Sequence, residues 1–78
     1  MYVNKNLLLS KMSLRGYNIS TLAEATGINR DTISNILNGK TAPSYPVINS
    51  IFYELELTPQ EAVDIFFSIN LRKKKVEV

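Results

Sequence analysis

Cysteine and histidine are both absent from this 78-residue sequence, and glycine and proline occur only three times each. Without thiols no disulfide can staple the fold, which fits a reducing cytosol. Without thiols or imidazoles, metal ligation of the zinc-finger kind is excluded. No apolar run approaches the length that spans a bilayer, and the start MYVNKNLLLS lacks the charged segment, long apolar core and cleavage site of a secretion signal. A soluble, cytoplasmic protein with no membrane partner is therefore expected. Catalysis is not expected either, because there is no Gly-rich phosphate loop and no carboxylate pair placed for acid-base work. The acids Glu54, Glu56, Glu61 and Asp64 read as helix caps and a solvated face, and no cofactor is implied.

What is present fits one small domain, since a chain of this length buries only about 60% of its unfolded surface. The net charge of +2 says little by itself, but its distribution is uneven. Residues 1–44 carry Lys5, Lys11, Arg15, Arg30 and Lys40 against Glu24 and Asp31, a net +3. Residues 45–71 carry Glu54, Glu56, Glu61 and Asp64 with no base, and Arg72, Lys73, Lys74 and Lys75 then face Glu77 alone. A polyanion is attracted to the first and last of these segments and repelled by the middle one.

The stretch ISTLAEATGINRDTISNILNGK, residues 19–40, holds two short helical patterns that meet at a glycine. Asn18 is suited to cap the first, in which Ile19, Leu22, Ala23 and Thr26 recur at spacings of three and four. Gly27 stands where a left-handed turn residue is needed, Ile28 drops inward, and Asn29 caps the second pattern. Ile33, Ile36 and Leu37 make its buried stripe, Arg30, Asp31, Thr32, Ser34 and Asn35 its polar one, and Asn38-Gly39 ends it. Two short helices joined around a glycine, with the small Ala23 at their crossing, predict a helix-turn-helix over residues 19–38. A merely solvated helix would carry Lys and Glu in supporting pairs. The second pattern instead carries side chains able to donate and accept toward base edges.

On Asn18, Leu22-Ala23, Gly27-Ile28-Asn29, Thr32-Ile33-Ser34, Ile36, Asn38-Gly39-Lys40 and Pro43, the sequence resembles the lambdoid phage Cro and repressor family, also called the XRE family. The resemblance runs loosely from Leu8 to Leu57. It implies an all-α, compact five-helix domain, here residues 1–70, with the second helix of the motif in a DNA major groove and residues 71–78 as a basic tail. A short Cro-like regulator of phage or prophage origin is implied, acting as a homodimer.

Three positions depart from the family pattern. The usual Arg at position 12 and its Glu partner at position 37 are Met12 and Leu37 here. Exchanging both members of an ion pair for apolar groups can be neutral, whereas losing one strands a charge. Met12 and Leu37 are therefore expected to touch. Ile19 stands where many relatives have a Gln that holds the DNA backbone. Either Asn18, Ser20 and nearby N–H groups make that contact instead, or DNA affinity is weaker.

Elsewhere, Asn4 to Arg15 reads as a first helix with Leu8, Leu9 and Met12 on one side and Leu7 and Leu14 roughly opposite, facing either the last helix or a partner subunit. TAPSYP is a loop, after which Ser44 reads as an N-cap and Val47, Ile48, Ile51, Phe52 and Leu55 as core, with Tyr45 and Tyr53 off the stripe. Thr58-Pro59-Gln60-Glu61 is a capping box that opens a last helix to about Ile69, apolar almost all round. In a domain this small such a helix needs a second surface, and Phe66, Phe67 and Ile69 are the expected dimer interface. The tail is expected to be a solvated end, with phosphate contacts or a strand across a dimer as alternatives.

With the second motif helix in a major groove, its first turn lies nearest the bases. Arg30 can fork onto guanine or hold a phosphate, Asp31 can accept from cytosine or favour the helix dipole, and Thr32 can meet a thymine methyl or a phosphate. Ser34 and Asn35 follow one turn on, Asn35 being able to pair with adenine. Asn18, Ser20, Asn29, Gly39, Lys40 and Thr41 are the expected phosphate contacts, with backbone N–H groups near Gly39 among them. The expected function is a sequence-specific repressor on a two-fold symmetric double-stranded operator. The alternatives are a module that pairs with another phage regulator, or an antitoxin that keeps the same fold.

Overall fold

A computed structural model describes residues 3–67, and among them there are five helices and no strand. They are α1 (Lys5–Leu14), α2 (Ile19–Thr26), α3 (Arg30–Leu37), α4 (Tyr45–Glu54) and α5 (Pro59–Phe66). The fold is all-α, with α2 and α3 joined around Gly27 as a helix-turn-helix. None of the described helices is long and apolar enough to cross a membrane.

Each helix begins at a residue with extended backbone, and four of the five have a side-chain cap bond. Asn4 accepts from the Leu7 N–H at 3.2 Å, and Thr58 and Glu61 form the expected reciprocal box, at 3.1 and 2.9 Å. Ser44 stands at the N-cap of α4 but makes no side-chain cap bond, so that start rests on the fixed φ of Pro46 in the first turn.

Three helices end alike. After α1, α3 and α4 the chain passes through a left-handed residue, Gly16, Gly39 or Glu56, whose N–H and that of the residue after it fold back onto the last turn. At α4 these are Glu56 N–H to the Tyr53 carbonyl and Leu57 N–H to the Phe52 carbonyl, at 3.2 and 3.0 Å. Glu56 does this at φ 53, where a Cβ is unfavourable by about 1–2 kcal/mol and glycine is not. Glycine also loses more chain entropy on folding, so Glu56→Gly is expected to gain about 0.5–1 kcal/mol net, a rise in Tm of about 3–6 °C. A lower Tm by calorimetry would mean that the Glu56 side chain holds something the backbone argument omits.

The core is one cluster drawn from every helix: Leu8 and Met12 of α1, Leu22 and Ala23 of α2, Ile33, Ile36 and Leu37 of α3, Ile51 of α4, and Ile65 and Phe66 of α5. Val3, Leu55 and Leu57 complete it from outside the helices. Met12 and Leu37 are both buried in it, so no charge is stranded at either position. No polar or charged residue is buried among those described.

Some expected faces are different. Leu8 and Met12, one turn apart, carry the buried line of α1, which leaves Leu9 on the rim and Leu14 at 74% exposure. The last helix closes at Phe66, not near Ile69. Phe66 is fully buried in its own chain's core and is not available as a dimer surface. Phe67 and Val63 remain partly exposed, whereas Ile69 and the basic tail lie outside the described residues.

Contacts between α1 and α5 close the bundle. The Asn4 N–H donates to the Ile65 carbonyl at 2.6 Å, and the Lys11 ammonium lies 2.6 Å from the Glu61 carboxylate. The Lys11 hydrogen bond and the Thr58 N–H hold the Glu61 carboxyl at about 2, below its ordinary 4.5. A depressed carboxylate pKa stabilises the fold above the unfolded value and stops doing so as pH falls through the folded one. Glu61→Gln is therefore expected to lower the urea midpoint at neutral pH and to converge with wild type near pH 2. A constant difference between the two across that range would show that the charge contributes nothing.

Candidate nucleic-acid interface

The site is assembled from the start of α2, the turn and the outward side of α3. At the α2 start, the Asn18 side chain accepts from the Thr21 N–H at 2.9 Å while the Thr21 hydroxyl accepts from the Asn18 N–H at 2.8 Å. This is a capping box with threonine in the place of the usual acid. Ile19 is half-buried and packs against the core, as an isoleucine there must, and Ser20 is exposed beside it.

Gly27 turns the chain at φ 75, and nothing lies within 4 Å of where its Cβ would be. The glycine is needed for its backbone conformation, not for space. Thr26 contributes a bond that its place in the apolar pattern conceals. Its hydroxyl donates to the Leu22 carbonyl at 2.7 Å and accepts from the Ile28 N–H at 3.2 Å, which ties the turn to the end of α2. A threonine in the last turn of a helix is a weak signal for such a bond, because hydroxyls there compete for backbone partners. The Asn29 side chain then accepts from the Asp31 N–H at 2.7 Å and starts α3.

Along α3, Ile33, Ile36 and Leu37 are buried, Arg30 and Asp31 exposed, and Thr32, Ser34 and Asn35 half-buried. At about 100° per residue, Asp31 and Asn35 lie opposite the buried stripe, Arg30 and Ser34 on one flank and Thr32 on the other. The five expected base-reading residues thus spread around the side of α3 away from its buried stripe, three of them half-buried.

The expected phosphate contacts divide. In Asn18 and Asn29 the side-chain oxygen is engaged in capping, which leaves each amino group as a donor. Lys40 and Thr41 are exposed just past α3. The backbone N–H groups of Gly39 and Lys40 are not free, because they donate to the Ile36 and Asn35 carbonyls at 3.2 and 2.9 Å. The loop can therefore meet phosphate through the Lys40 and Thr41 side chains, but not through those two amides.

Residues 8–67, which include all five helices apart from the first three residues of α1, match the Cro/C1-type HTH DNA-binding domain. The chain belongs to that family. No curated protein and no solved structure matches it. As a Cro/C1-type domain the protein is a DNA-binding regulator. Among the described residues no group of His, Cys, Asp or Glu could hold a metal ion.

Proposed function

We propose that this Cro/C1-type protein is a sequence-specific transcriptional repressor that binds a two-fold symmetric operator as a dimer and acts by occupancy. The observation that carries this reading is the composition of the α3 surface. Arg30, Asp31, Thr32, Ser34 and Asn35 offer a fork, acceptors, hydroxyls and an amide where a solvated helix would offer Lys–Glu pairs. The capping of α2 and α3 fixes those side chains on a rigid pair of helices. In the dimer, half-sites would lie one helical turn apart, about 34–36 Å. Val63 on α5 and Phe67 just past its end are apolar side chains exposed enough to contribute to its interface. The chain binds and does not catalyse in this reading.

Selection of DNA in vitro, followed by titration of the winner and of random sequence, tests the proposal. A two-fold symmetric consensus bound at least about a thousandfold more tightly than random DNA is the expected result. Weak, sequence-blind and steeply salt-dependent binding would favour the second reading, a module that pairs with another regulator. That reading draws on the apolar groove lined by Leu9, Tyr17 and Ile19 beside the α2 start, where relatives hold DNA with a Gln.

A further inference from the structure

The cations of the described residues sort by what they touch. Lys11 pairs with Glu61, and Arg15 donates from Nε to the Leu55 carbonyl at 3.1 Å, so both tie helices together. Among the described residues Lys5, Arg30 and Lys40 form no salt bridge. Arg30 and Lys40 belong to the DNA face already described, which leaves Lys5 to be explained.

Lys5 is the first residue of α1, a position where the helix dipole disfavours a cation, and no acid stands in that first turn to offset it. Its backbone is held from both sides. Val3 is buried, and Asn4 is fixed by its N–H bond to the Ile65 carbonyl and by its cap bond from Leu7. The Lys5 ammonium sits 3.4 Å from the side-chain oxygen of Asn38, the C-cap of α3. The Asn38 amide in turn lies 3.5 Å from the hydroxyl of Ser34, on the base-reading surface. A pinned backbone thus brings an uncompensated charge to the end of the groove-facing helix, two residues from Lys40.

We propose that Lys5 is a contact to the DNA backbone, gripping together with Lys40 the phosphates that flank the end of α3. The inference rests on α3 being the groove helix. A backbone contact carries no sequence information, so Lys5→Gln is expected to weaken the selected operator and random DNA by the same factor. It should also lower the slope of log affinity against log salt by about 0.9, the release from one phosphate. The disadvantage of the variant relative to wild type then shrinks about 3.5-fold between 50 and 200 mM salt. Lys5→Arg should restore the wild-type slope.

The experiment is a fluorescence-anisotropy titration of wild type, Lys5→Gln and Lys5→Arg over that salt range on both DNAs, with circular dichroism to confirm folding. A reduced slope in Lys5→Gln, restored by Lys5→Arg, supports the proposal. An unchanged slope in a folded Lys5→Gln, with wild type binding normally, overturns it and leaves Lys5 as a cap on α3. No binding of either DNA by folded wild type overturns the regulatory reading and this inference with it.

Discussion

Phe66→Ala is expected to unfold much of the protein instead of merely weakening a dimer. The ring is fully buried, on the helix that packs against α1, and no other aromatic residue of the described chain is buried so completely. Removing a buried Phe side chain costs about 3–5 kcal/mol, the sum of the lost transfer energy and the cavity left behind. A chain of this length holds about 4–12 kcal/mol in all, so the loss ranges from a quarter of its stability to the whole of it. Urea unfolding followed by circular dichroism at two protein concentrations separates the two roles. A core residue lowers the midpoint equally at both. A Phe66→Ala protein that keeps the wild-type midpoint and only dissociates would return the residue to an interface. Phe67→Ala, at a half-exposed site one residue on, should lose far less stability and is the variant that probes self-association.

Arg30→Ala and Asn35→Ala are expected to remove discrimination without removing DNA binding. Each side chain can make a two-pronged bond to one base, Arg30 to guanine and Asn35 to adenine, and each such bond is worth about 1–3 kcal/mol against the wrong base. That is a loss of about 5- to 150-fold in preference at a single base pair. Affinity for random DNA, set by phosphate contacts, should change little for Asn35→Ala. Competition between the selected operator and variants changed at one base pair measures the effect directly. Equal losses on operator and random DNA would show that these residues hold the backbone instead. The half-buried setting of Asn35 favours the base-reading role, because it restricts the side chain before DNA arrives.

The local parts of the fold could be read from the sequence because their causes are local. Asn4, Asn18, Asn29 and Thr58 all cap where the residue types indicated, and Gly27 turns where a left-handed residue was needed. The helical stripe of Ile33, Ile36 and Leu37 assigned the α3 face correctly for the same reason. What failed needed information from far along the chain. Phe66 and Phe67 are adjacent apolar residues about 100° apart, and only the position of α1 decides which one is inside. Lys11 and Glu61 are fifty residues apart, so no spacing rule joins them. The amides of Gly39 and Lys40 were expected to be free because a glycine after a helix signals its end, but not which N–H groups the closure engages. Glu56 in a left-handed conformation has no sequence signal, since nothing about glutamate favours it there.

The closing of the bundle by its first and last helices sets the order in which a nascent chain can mature. The α2–α3 pair joins neighbours in sequence and can form as soon as both have emerged, whereas α1 finds its partner only when α5 follows. During synthesis the α2–α3 pair is thus complete, with α4 against it, before α1 and α5 close the bundle. Regulatory competence is expected to arrive abruptly, with the last helix, and not to accumulate as the chain lengthens.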